Sequence, residues 1–123
     1  MSSLNKTEQQ ILLRAAEILS DKAHWRQGAY GNWYLLQDEP SVCALGAVRR
    51  ATAETYIASG GDSERICEML RPGSEANTIF HSVSNALRKT AGQAVPTVND
   101  CEGYEAVRNL FCKAIKEHCD GKE

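Results

Sequence analysis

The sequence lacks a long apolar run. No stretch approaches the roughly 20 residues that cross a bilayer, so no membrane partner is expected. It also lacks an excess of positive charge. Fourteen lysines and arginines stand against sixteen aspartates and glutamates, for a net charge of −2. Broad electrostatic binding of nucleic acid needs a strongly basic face, so nucleic acid is not expected as a partner either. The polar stretch Met1 to Lys6 carries no apolar signal-peptide core, and a cytoplasmic location is the expectation. There is no paired Cys-x-x-Cys, no glycine-rich phosphate loop, no dinucleotide glycine motif and no zinc-protease motif. The sequence therefore points to no metal and no cofactor. Five cysteines make an odd count, which suits a reducing compartment better than a disulfide framework.

What is present is the composition of a folded domain: 42% hydrophobic and 24% charged residues over 123 positions. A chain of this length buries roughly two-thirds of its unfolded surface, and needs neither metal nor disulfide to fold. No fixed-period repeat, low-complexity tract or linker interrupts it, so residues 1–123 read as one helical domain.

Helical periodicity dominates. Thr7 and Gln10 form a capping-box pattern before Ile11, Leu12, Ala15, Ala16 and Leu19, predicting a first helix that ends near Asp21 to Ala23. Ser41 is the expected N-cap of a second helix whose apolar face is Val42, Leu45, Val48, Ala51 and Ile57, joined by Cys43 and Ala47. Gly46 lies inside that helix, where glycine costs about 1 kcal/mol relative to alanine. Its presence suggests close approach of a neighbour. Ser59-Gly60-Gly61 ends the helix, and Asp62 caps a short third one over 63–70. Ser74 caps a fourth with the stripe Ile79, Phe80, Val83 and Leu87. The fifth is expected to start between Asn99 and Glu102, with Val107, Leu110, Phe111, Ala114 and Ile115 inward. Residues 24–40 differ: both tryptophans and two tyrosines lie among two glycines and an asparagine, which reads as an ordered aromatic loop with room for a small hairpin. The fold class is all-α, with about five helices.

Chemistry concentrates in a few places. Ser41-Val42-Cys43-Ala44-Leu45-Gly46-Ala47 puts a cysteine in the first turn of a helix, where the helix dipole lowers a thiol pKa and makes a nucleophile. A cysteine enzyme also needs a base, and His24, His81 and His118 are the only histidines. The bland alternative is an inert thiol packed as a small hydrophobe. Asn99-Asp100 is a second candidate, for ligand contact or for plain helix capping. The loop offers Trp25, Arg26 and Trp33, residue types that dominate binding hot spots; alternatively, Trp25 plugs the core.

Trp25, Cys43-Ala44-Leu45-Gly46-Ala47, the Asn99-Asp100 step and a closing helix with Val107 and Ala114 resemble a small uncharacterised domain family of bacteria, notably actinobacteria, and bacteriophages. Its members often carry tryptophan just before Asn-Asp, where this chain has Val98. The resemblance implies no activity. It implies that Trp25, Cys43, Gly46, Asn99 and Asp100 meet, with two helix N-termini converging on a place suited to an anion or polar ligand. The expected function is a small cytosolic binding protein, phage- or mobile-element-associated, that binds a host protein or a small polar ligand and interferes with host defence. A cysteine-dependent hydrolase or transferase using Cys43 is the alternative, a structural or assembly subunit a third. Homo-oligomer formation is left open.

Overall fold

Caps and apolar stripes set the elements. The computed structural model describes residues 4–28, 31, 41–56 and 68–119. Helix α1 (Lys6–Ile18) opens at Asn5, whose side chain accepts the Glu8 amide at 2.8 Å while Glu8 Oε1 accepts the Asn5 amide at 2.9 Å. This reciprocal box replaces the Thr7–Gln10 pair read from the sequence. The earlier start brings Leu4 into the core at 7% exposure, and the Gln9 side chain closes over it by donating to the Leu4 carbonyl at 2.8 Å. The helix stops at Ile18, earlier than expected, because Asp21 takes over as the cap of a separate 3₁₀ turn, Lys22–His24.

Helix α2 (Ala44–Tyr56) begins three residues after Ser41, the expected cap. Ser41 precedes Val42, which is held extended by a one-residue parallel bridge to Trp25: Val42 N–H donates to His24 C=O at 2.8 Å, and Arg26 N–H to Val42 C=O at 3.0 Å. The expected hairpin falls largely on residues outside those described, as does Trp33. Among the described residues the chain forms this bridge and no strand. Leu45, expected on the inner face, is only half-buried; Ala44, Gly46, Ala47, Val48, Arg50, Ala51, Thr52 and Ala53 are the buried positions. Ile57, the Ser59-Gly60-Gly61 stop, the Asp62 cap and Cys67 lie outside the described residues, and residues 68–70 are helical.

Helix α3 (Glu75–Ala91) matches its sequence signals. Ser74 Oγ accepts the Asn77 amide at 3.1 Å, and Gly92 at φ 74° ends it in the left-handed region that favours glycine. Ile79, Phe80, Val83 and Leu87 are all buried. Helix α4 (Tyr104–His118) buries Val107, Leu110, Phe111 and Ala114. The four helices pack on one another around one core in which Ile11, Leu12, Leu19, Val48, Val83, Leu87, Val107 and Phe111 are each under 2% exposed. Burial on that scale supplies about 1.5–3 kcal/mol per large side chain. The molecule is all-α. None of the four described cysteines is fully buried in it: Cys101 and Cys112 are exposed, Cys43 and Cys119 half-buried.

Helix α4 starts later than expected. Asn99 and Glu102 do not cap it; residues Val98–Glu102 form a π turn, following a short helical turn at Val95–Thr97. The turn closes by a Gly103 N–H to Val98 C=O bond at 3.3 Å. The wider π spacing lets Val98 and Asn99, neighbours in sequence, both be buried while Asp100 stays exposed. This turn sets the geometry of the candidate site.

Candidate functional site

Asn99 sits where three segments meet, at 1% exposure. Its Oδ1 accepts the Trp25 indole Nε1–H at 2.7 Å and the Ala44 amide at 2.9 Å. Its Nδ2 donates to the Arg26 carbonyl at 3.1 Å and to Asp100 Oδ1 at 2.9 Å. An amide side chain offers two lone pairs and two N–H groups, so every hydrogen-bonding position of Asn99 is used. It caps a helix, as expected of an asparagine here, but that helix is α2, 55 residues upstream.

Asp100 reaches the other way. Its Oδ1 also accepts the Gly28 amide at 2.9 Å, and its backbone carbonyl accepts Gln27 Nε2 at 3.0 Å. The Asn99 and Gly28 hydrogen bonds stabilise the ionised form and hold the carboxyl below its ordinary range. Gly31, at φ 79°, lies so close to the next segment that a Cβ there would meet the Ser41 carbonyl oxygen at 1.9 Å; only glycine fits.

Cys43 is the N-cap residue of α2. Its Sγ accepts the Gly46 amide at 3.3 Å. The helix start favours the thiolate, as the sequence reading supposed, but burial outweighs it and pushes the Cys43 thiol up. The charge of Asp100 acts in the same direction as burial. Among the described residues no histidine bonds to this sulfur. His24 uses its carbonyl to hold Val42, His81 is exposed beside Phe80, and His118 pairs with Thr90 on the last turns of α3 and α4.

Trp25, half-buried, packs against the core and lies 5.7 Å from the Tyr104 ring, tilted by 60°. Tyr104 in turn donates its hydroxyl to Leu19 C=O at 2.6 Å, tying the end of α1 to the start of α4. Arg108 donates to the Tyr104 hydroxyl and to Ser20 C=O, both at 3.3 Å. Trp25, Cys43, Asn99 and Asp100 therefore belong to one cluster, and Gly46 is in it through its amide. Arg26 joins through its backbone only; its side chain is exposed. The anion-binding geometry does not form at α2. The Ala44 and Gly46 amides are taken by Asn99 and Cys43, and the adjacent Asp100 carboxylate repels a second negative charge. Sequence reasoning missed Gln27, Gly28 and Tyr104. The available signal was the indole N–H of Trp25, which needs a partner when buried.

Among the described residues no three histidine, cysteine or acidic side chains gather closely enough to hold a metal ion. No described helix is long and apolar enough to cross a membrane. No curated protein and no solved structure matches the chain. One family model does, described as "Family of unknown function (DUF6197)", over residues 4–117. That match spans nearly the whole of the fold and includes every residue of the Asn99 cluster, so the chain belongs to this family of unknown function.

Proposed function

We propose that this chain acts by binding a partner and not by catalysis. The observation that carries the reading is the fate of the polar groups in the cluster. Asn99 has no hydrogen-bonding position left for a substrate, and the Cys43 thiol is pushed up and capped on its own helix. A nucleophile needs the opposite: a depressed pKa and a base within reach. The cluster instead braces a surface. Arg26, Gln27, Gly28 and Asp100 are exposed side by side on it, their backbones or side chains anchored by Asn99 and by one another. Rigid, pre-ordered polar groups lose little entropy on binding, which favours a protein partner over a buried small ligand. On this reading the partner is a host protein, and interference with host defence is the role a phage-borne chain of this size would serve.

The test uses the full chain. Thiol alkylation across pH 6–9 should show no fast, low-pKa cysteine at position 43, as judged against Cys43→Ser. Capture from a bacterial lysate should yield a partner that Arg26→Glu loses and Cys43→Ser keeps, with helicity unchanged in both. Rapid alkylation of Cys43 near neutral pH would overturn the reading in favour of a cysteine hydrolase or transferase.

A further inference from the structure

The solvent face of α1 lies away from the Asn99 cluster. Lys6, Gln10, Leu13 and Glu17 recur at spacings of four, three and four, and all four are exposed. Leu13 is 46% exposed, the one exposed large hydrophobic side chain among the described residues. A single surface leucine needs no explanation. This one borders a groove of about 450 Å³, lined also by Leu4, Lys6, Gln9, Ile115 and Cys119. A projecting apolar side chain and an apolar hollow thus share one face.

We propose that this face pairs with a second copy of the chain, α1 lying antiparallel on its twin about a two-fold axis. Two-fold pairing requires a self-complementary patch, in which residue i meets j and j meets i. An axis midway between positions 11 and 12 achieves this. It sets Leu13 of each copy level with Gln10 of the other, at the end of the stretch of α1 that walls the groove. It sets Lys6 opposite Glu17 at both ends, about 16 Å apart along the helix at 1.5 Å per residue. The charges match. Lys6 makes no ion pair among the described residues, and Glu17 is an exposed carboxylate that meets only Arg14 of its own helix there. A single helix pair buries an area at the low end of specific interfaces, so the association is weak and concentration-dependent.

Sedimentation of the full chain over a hundredfold concentration range, up to about 0.5 mM, tests this at the affinity expected of so small an interface. The wild type should approach twice its monomer mass. Leu13→Glu should remain monomeric, with its helicity and unfolding midpoint retained because the side chain is exposed. Lys6→Glu should weaken the dimer about tenfold or more, since two attractive pairs become repulsive. Adding Glu17→Lys to Lys6→Glu should restore it. A wild type that stays monomeric throughout overturns the proposal, whether the groove takes the end of this chain or a different protein. So does a dimer indifferent to Leu13→Glu, or a charge swap that fails to restore.

Discussion

Among the described residues two helices are capped by asparagine, and the two caps differ in kind. Asn5 caps the helix it precedes, at the surface, three residues from its partner Glu8. Asn99 caps α2 from 55 residues away, buried, and holds the Trp25 loop and Asp100 with its remaining bonds. Water can replace the first when it is lost. Water replaces the second less readily, because Ala44 is fully buried and Trp25 half-buried. The lesson is that an identical side chain making the same bond to a helix amide stabilises by different amounts, according to what its loss would leave stranded.

Asn99→Ala breaks the comparison hardest. It strands the Ala44 amide and the Trp25 indole and frees the Arg26 carbonyl. Stability should fall by about 3–4 kcal/mol, read from the urea midpoint. A loss near 1 kcal/mol would put Asn99 on a par with an ordinary surface cap. Asn99→Asp sharpens the point. It keeps the acceptor, loses both N–H donors and sets a second carboxylate beside Asp100, so its deficit should shrink on acidification as the new carboxyl is protonated.

Trp25→Phe removes one bond while keeping an aromatic ring beside Tyr104. A loss of about 1–2 kcal/mol is expected, from one hydrogen bond and a small cavity. Asn5→Ala should cost about 1 kcal/mol and leave Trp25 fluorescence unchanged, since the local cap touches nothing at the cluster. Cys43→Ser should move stability by less than about 1 kcal/mol, because serine takes over the N-cap role of the thiol. A large loss there would show that the sulfur does more than cap.

The pH dependence of the cluster has a definite sign. Asp100 is held below its ordinary carboxyl range in the folded state, so its stabilising effect is present above the unfolded value near 3.8. It is lost as pH falls through the lower folded value. The Gly28 amide should then exchange faster, while exchange in α3 stays unchanged.

The sequence carries α3 almost whole. Ser74, the 79-80-83-87 stripe and Gly92 are signals within one helix, and local bonds satisfy them without reference to the rest of the chain. The family resemblance, and not any local pattern, groups Trp25, Cys43, Asn99 and Asp100. Their arrangement was less legible. Thr7 and Asn5 both begin box-like patterns, and burial of Leu4 chose between them. Asn99-x-x-Glu102 looks like a cap for the helix that follows, yet a π turn sends Asn99 to another helix. No local pattern announces a bond across 55 residues.

By itself, then, the sequence determined the helical class, most of the inward stripes and the absence of any familiar metal or phosphate motif, because those depend on periodicity and on residues a few positions apart. The tertiary structure alone decided which amide Asn99 satisfies and which way the Cys43 thiol titrates. Both depend on how much water and which charges surround a group after packing. Desolvation at the start of α2 outweighs the local pull of the helix on that thiol, and no spacing along the chain encodes a dielectric environment.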